Sequence, residues 1–222
     1  HSHIMLIPGS ITGINKVGMN MQFGEITLHD MNEIRKLQPE GWNDIVPEFE
    51  YYVRKEFCFP QKAILDNRIV GVGTLIVFGD TAWLAHIIVD KDHRGRGIGF
   101  QITEKLKHEG NSRSLKSMLL IATELGFPVY KKAGFRSVSE YQFFKREKPW
   151  NDLQISQKIQ AADHELESEI YALDEKISGQ DRRSLLKDHL HKTFVYLQDN
   201  SLLGVYIPDL GEGLIIASTE EA

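Results

Sequence analysis

Apolar positions along the chain follow two periods, and the places where each holds predict the elements. Trp83-Leu84-Ala85-His86-Ile87-Ile88-Val89 is nearly continuous in apolar residues and rich in β-branched ones, which predicts a strand covered on both faces. After a loop at 90–93, Ile98, Ile102 and Leu106 recur at i, i+4, i+8, so a helix runs to about Lys107 and closes near Gly110. Upstream, Gln22, Phe23, Glu25, Ile26, Thr27 and Leu28 alternate from about Met21 as a strand would, and His29-Asp30 caps a helix to about Lys36 that Pro39-Glu40-Gly41 breaks. Phe49, Tyr52, Val53 and Phe57 sit at helical spacing within 42–57, a second helix interrupted at Pro47. Strands at 62–65 and 69–78 join through Asp66-Asn67, and Gly79-Asp80 turns the chain into the 83–89 strand. Beyond the central helix come an apolar strand over 118–123, a short helix opening near Pro128, and a last strand over 138–144. The predicted class is α/β (α+β): a mixed central sheet flanked by helices, antiparallel in its first strands and closed by a β–helix–β crossover.

The pattern then begins again. Lys145-Arg146-Glu147-Lys148-Pro149-Trp150 is a charged linker, and Gln198-Asp199-Asn200-Ser201-Leu202-Leu203-Gly204-Val205 repeats Leu65-Asp66-Asn67-Arg68-Ile69-Val70-Gly71-Val72 at one spacing (204 − 71 and 199 − 66, each 133). The same spacing carries Ile26 to Ile159, within a short alternating segment of Leu153, Ile155 and Ile159. Leu166, Ile170 and Leu173 mark one helical stripe; Leu185, Leu186, His189 and Leu190 mark another. Chance also produces Asp-Asn turns followed by apolar strands. Read as a duplication, the chain divides into an extension at 1–20, a first domain at 21–146, a linker at 147–152 and a partial second domain at 153–222. By that spacing residue 222 corresponds to position 89, so either the protein extends further or its second half is a reduced scaffold.

Composition narrows the function classes. At 222 residues and 41% hydrophobic, the chain can bury one full core and a second, smaller one. A net charge of −5 and a pI near 6.0 argue against a general nucleic-acid partner. No apolar run approaches the roughly 18 residues of a membrane span. The cluster Ile4 to Ile7 is cut by Pro8 and is too short for a signal core of about 7 residues or more. His1-Ser2-His3 reads as a tag remnant. Cys58, the single cysteine, excludes an intramolecular disulfide and fits a reducing, cytoplasmic setting. His189 and His191 diverge on a predicted helix without a convergent third ligand, so no metal is expected, and the acidic run 163–175 reads as a surface helix.

Between the central strand and helix lies Arg94-Gly95-Arg96-Gly97-Ile98-Gly99. Such a turn aims backbone N–H groups outward and adds the positive end of a helix dipole, so it can cradle a phosphate. A P-loop would need Gly-Lys-Ser/Thr, which is missing. A dinucleotide site would need G-x-G-x-x-G with an acidic residue about 20 positions on, where this chain is apolar around Leu119. A tight turn needing glycine for backbone reasons alone remains open. The pattern R-x-x-G-x-G, formed by Arg94, Gly97 and Gly99, resembles the pyrophosphate loop of the GNAT superfamily of acyl-CoA-dependent N-acetyltransferases. The 118–135 stretch, with Tyr130-Lys131-Lys132-Ala133-Gly134-Phe135, is similar to the fifth strand and fourth helix of that family. The likeness covers about residues 21–146, and the whole chain resembles tandem-GNAT proteins with an incomplete second half.

The resemblance implies a GNAT fold and acetyl-CoA as co-substrate, with a primary amine of a small molecule or peptide as acceptor. It places the CoA pyrophosphate on Arg94, Gly95, Arg96, Gly97, Ile98 and Gly99, and the pantetheine arm against the main chain of Ile87, Ile88 and Val89, where an N–H could also stabilise the oxyanion. Thr123 stands where many relatives carry an asparagine near the cofactor, and keeps a hydroxyl. Tyr130 lies beside the acyl-CoA sulfur in the family, and its reference pKa of about 10 suits a general acid toward departing thiolate. The general base stays open. His86 titrates near neutrality, but strand alternation puts Trp83, Ala85 and Ile87 on the pocket side, so His86 reads as structural unless a bulge intervenes. Glu124 could act through water or be a loop carboxylate. Trp42, Phe49 and Tyr52 either line the acceptor pocket or belong to the core. A non-catalytic acyl-CoA-binding sensor is the alternative function, and a homodimer is compatible with both.

Overall fold

The computed structural model describes residues 2–8, 21–142, 156–211 and 213–222, and the chain forms two compact units, His1–Phe144 and Lys145–Ala222. In the first unit the elements are β1 (Ser2–Pro8), β2 (Gln22–Glu25), α1 (Met31–Arg35), α2 (Val46–Arg54), β3 (Cys58–Leu65), β4 (Arg68–Phe78), β5 (Thr81–Val89), α3 (Ile98–Ser112), β6 (Ser117–Ala122), α4 (Phe127–Lys132) and β7 (Phe135–Gln142). They build one seven-stranded mixed sheet in the order β2-β3-β4-β5-β6-β1-β7. The pairs from β2 to β5 are antiparallel and β5–β6 is parallel, as the expected crossover through α3 requires.

Several boundaries move for identifiable reasons. Asp30 is the N-cap position of α1, as read, but a 3-10 turn at Leu28–Asp30 precedes it, opened by Thr27, whose backbone N–H donates to Asp30 Oδ2 at 2.7 Å in a capping box. Pro47 begins α2 instead of interrupting it, since a helix's first turn has no use for the missing N–H. Helix α3 ends at Ser112, two residues past Gly110, and that glycine also serves packing: a β-carbon there would stand 2.5 Å from Met118 Sδ, so glycine lets the helix settle on β6. The tip between β3 and β4 is as read, with Asp66 and Asn67 both at positive φ (50° and 60°), the geometry a two-residue hairpin needs. The N-terminal segment set aside in the sequence reading is a strand: β1 pairs antiparallel with both β6 and β7. Residues 143–144 of the expected last strand lie outside the described residues.

Helix α3 buries Ile98, Ile102 and Leu106 against one sheet face. Gly71 and Gly73 of β4 make room for it, since β-carbons there would lie 2.7 and 2.8 Å from Ile102. Alternation then sends Val72, Thr74 and Ile76 to the opposite face, where α1 and α2 lie. Among the described residues no helix is long and apolar enough to cross a membrane.

The second unit holds β8 (Ile159–Ala161), α5 (Glu167–Ser178), α6 (Arg183–Leu186), β9 (Phe194–Gln198), β10 (Ser201–Ile207) and β11 (Leu214–Ala217), with an antiparallel sheet ordered β11-β10-β9-β8. Ile170 and Leu173 pack on Val195, Val205, Ile207 and Ile216. The second predicted stripe is not one helix: α6 stops at Leu186 and Leu190–Lys192 is a separate 3-10 turn. Nor is the acidic run wholly surface, because Asp174 is buried and pairs with both Nε and Nη2 of Arg182. Residues 147–152, Leu153 and Ile155 lie outside the described residues.

Candidate active site

Strand β5 is interrupted where the sequence shows only a histidine in an apolar run. Its register against β4 passes from Val72↔Ile88 to Thr74↔Ala85, so Gly73 faces two residues, His86 and Ile87. This is a β-bulge, and His86 takes φ +48° to form it. Plain alternation would send His86 with Leu84 toward α3. The bulge instead turns its imidazole into the aromatic side chains of the α2 face: Nδ1 is 2.8 Å from Tyr52 Oη, and ring centroids lie 6.0 Å from Phe49, 5.6 Å from Tyr52 and 6.1 Å from Trp42. Burial holds the imidazole down to about 4 and pushes the Tyr52 phenol well up, with the nearby Glu48 charge adding to the latter. Both groups are therefore neutral at pH 7. Thr74 Oγ1, fully buried one pair from the bulge, has no hydrogen-bond partner among the described residues.

On its other edge β5 pairs with β6 only at Thr81↔Ser117, Ala82↔Met118 and Trp83↔Leu119. Beyond Trp83 the ladder ends while β5 continues to Val89 and β6 to Ala122, which leaves a wedge between two neighbouring strands. Of the residues read as pantetheine contacts, Ile87 packs toward α3, Ile88 is buried and pairs with Val72, and Val89 accepts a 3.2 Å hydrogen bond from Arg94 Nε.

The glycine turn follows directly. Asp90 Oδ1 accepts from Asp92 N at 3.0 Å and meets His93 Nδ1 at 2.7 Å, pinning the 3-10 turn Lys91–His93; that histidine hydrogen bond holds the Asp90 carboxyl below its usual range. Gly95 and Gly97 have φ +75° and +78°, Gly97 caps α3, and β-carbons on either would meet no atom within 4 Å. Open space in front of left-handed glycines at a 15-residue helix's N-terminus fits a diphosphate. Arg94 and Arg96 are exposed there. A β-carbon on Gly99 would lie 3.5 Å from Val89 Cγ2 and 3.8 Å from Val129 Cγ1, so the turn sits between the end of β5 and the helix of Tyr130.

Tyr130 is buried on α4, with its ring edge-on to Phe135 at 6.3 Å. Burial pushes its phenol up to about 12. Thr123 is half-buried, and its hydroxyl accepts from Gly126 N at 3.2 Å, tying down the turn into α4. Glu124 is exposed. No group of three or more His, Cys, Asp or Glu among the described residues could hold a metal ion.

A family model for the acetyltransferase (GNAT) family matches residues 28–135, which contain the bulge, the wedge, the glycine turn and Tyr130. Residues 28–135 form a GNAT acetyltransferase domain. A similar fold appears in a candidate acetyltransferase of Pyrococcus horikoshii, at 19% identity and TM-score 0.61 over 90% of this chain and 76% of that one. Shorter likenesses include the ribosomal-protein-S18-alanine N-acetyltransferase of Escherichia coli (17% identity, TM-score 0.49, 54% of this chain and 79% of that one). Another is glucosamine-6-phosphate N-acetyltransferase of Arabidopsis thaliana (16% identity, TM-score 0.47, 58% of this chain and 99% of that one). A search of curated protein sequences gives no match.

The GNAT domain's His86 has a measurable consequence. Its pKa is lowered from 6.5 to about 4 on folding, so between those values the unfolded chain binds a proton that the native one refuses. Stability is full above pH 6.5 and falls as pH drops toward 4, by up to about 3 kcal/mol from this group. Urea midpoints at pH 7.0 and 4.5 should differ less in His86→Asn, because asparagine tolerates positive φ and carries no titrating ring. An unchanged difference would show that the acid sensitivity lies elsewhere.

Proposed function

We propose that this GNAT domain transfers the acetyl group of acetyl-CoA to a primary amine of a small molecule or peptide. The observation that carries the reading is the wedge beyond Trp83↔Leu119 leading straight into a turn of left-handed glycines. In this reading the diphosphate lies on the N–H groups of residues 95–99 with Arg94 and Arg96 alongside, and the pantetheine arm lies against the free edge of Ile87, Ile88 and Val89. A backbone N–H at the bulge stabilises the oxyanion as the neutral amine attacks the thioester carbonyl. The carbon–sulfur bond then breaks, Tyr130 donates its proton to sulfur, and the proton lost by the amine returns through water to the Tyr130 phenolate, so that acceptor amine and acetyl-CoA leave as amide and CoA thiol. His86 is no base at neutral pH: taking a proton from an alkylammonium of pKa about 10 onto an imidazole near 4 would be uphill by roughly 8 kcal/mol. The reaction therefore draws on amine that is already neutral.

The second unit we read as a partial copy of the first. Helices α1 and α2 lie between β2 and β3 as α5 and α6 lie between β8 and β9, and β10 and β11 begin at the repeat spacing from β4 and β5 (201 − 68 and 214 − 81, each 133). Asp199 and Asn200 repeat the positive φ of Asp66 and Asn67, at 51° and 59°. Cys58, buried and in no disulfide, supports a reducing, cytoplasmic setting.

The test is steady-state release of CoA thiol from acetyl-CoA with a panel of primary amines. Amine-dependent release is expected. Tight acetyl-CoA binding with no turnover on any amine would instead favour a non-catalytic sensor.

A further inference from the structure

We propose that Trp42, Tyr52 and His86 form an aromatic slot that selects acceptor amines carrying a flat apolar group over aliphatic or phosphorylated ones. The inference rests on the acetyltransferase reading and names its substrate class. Trp42 is 45% exposed, yet it is not a loose surface ring. The side-chain amide of Gln38 donates to the carbonyls of Pro39, Trp42 and Asn43 at 3.2, 3.1 and 3.0 Å and accepts from Ile45 N at 3.1 Å, fixing the whole α1–α2 loop. Trp42 stands edge-on to His86 at 72°, and His86 is hydrogen-bonded to Tyr52 with fully buried Phe49 behind both rings. A continuous series of rings thus leads from the surface to the bulge where the acyl carbonyl would lie.

The slot's chemistry excludes as well as attracts. Its polar tips are neutral, none of its four rings brings a positive charge, and Glu48 stands one turn before Tyr52 on α2. The flat group of a neutral amine packs on these faces, whereas a phosphate finds no cation among the rings and is repelled by that carboxylate, and a sugar would leave most of its hydroxyls unpaired against rings. Rigid aromatic groups give contact area at little entropic cost, so a matching flat group should bind better than a flexible chain of similar size.

The experiment uses the full chain, saturating acetyl-CoA and three acceptors: 2-phenylethylamine, hexylamine and glucosamine 6-phosphate. Expected kcat/KM for 2-phenylethylamine exceeds that for hexylamine by about tenfold and that for the phosphorylated sugar by about a hundredfold or more. Trp42→Ala should raise the KM for 2-phenylethylamine about tenfold, with kcat changed less than about twofold and acetyl-CoA affinity unchanged. Gln38→Ala, a positioning change, should move KM the same way by a few fold and also leave acetyl-CoA affinity alone. Equal kcat/KM for hexylamine, or preference for the phosphorylated amine, overturns the slot while leaving the acetyltransferase reading intact. If none of the three is acetylated, calorimetry of 2-phenylethylamine on the CoA-loaded protein decides: absence of heat overturns the slot, and micromolar binding lost in Trp42→Ala supports it. Failure of acetyl-CoA itself to bind removes both readings.

Discussion

Tyr130→Phe is expected to lower kcat about a hundredfold at every pH from 6 to 10, the lower end of what a positioned acid supplies, with acetyl-CoA affinity nearly unchanged. The flat pH response is the informative part. An ordinary tyrosine would ionise near 10 and the wild type would lose its advantage there. Burial raises Tyr130 to about 12, so its proton stays in place throughout and the gap between the two enzymes should remain constant. The same dry surroundings that raise the phenol also raise a departing thiolate, so the acidity gap between donor and leaving group stays near its aqueous size instead of widening. Phenylalanine keeps the contact with Phe135, so the fold should be preserved. A gap that closes between pH 9 and 10 would show that the phenol is not raised, and an equal loss of acetyl-CoA binding would remove the residue from the chemistry.

The second large effect concerns the glycine turn. Gly97→Val should weaken acetyl-CoA binding at least about a hundredfold, because a β-branched residue at φ +78° costs roughly 1–3 kcal/mol and the turn will rearrange to relieve it. Strain and blockage are separable by Gly97→Asn. Asparagine accepts the left-handed conformation, so thermal stability should stay near wild type, yet its side chain enters the open space where the diphosphate would sit. Loss of binding in both variants supports the cradle. Normal binding by Gly97→Asn, measured by calorimetry with CoA, would mean that the glycine serves the backbone alone.

What was legible before folding is what depends on local chain chemistry. The strand–turn–helix at 83–107 rests on apolar period and on glycines whose positive φ no other residue takes as easily, and the Asp66-Asn67 hairpin rests on the same kind of preference. Other features depend on neighbours distant in sequence. Gly110 reads only as the neighbourhood of a helix end and is also a packing contact with Met118; Ser2–Pro8 reads as an extension and is an inner strand.

The sequence by itself determined the order of elements, the glycine turn at 94–99 and the position of Tyr130, since periodicity and backbone preference act within a few residues. Only the tertiary structure decided which face His86 occupies. That choice is made by one extra residue opposite Gly73, and a strand's side-chain period of two turns such a one-residue slip into a change of side. The same slip, with the Gln38 clasp, brings Trp42, Tyr52 and His86 together. They come from a loop, a helix and a strand, and local propensity cannot express a contact whose partners lie more than thirty residues apart.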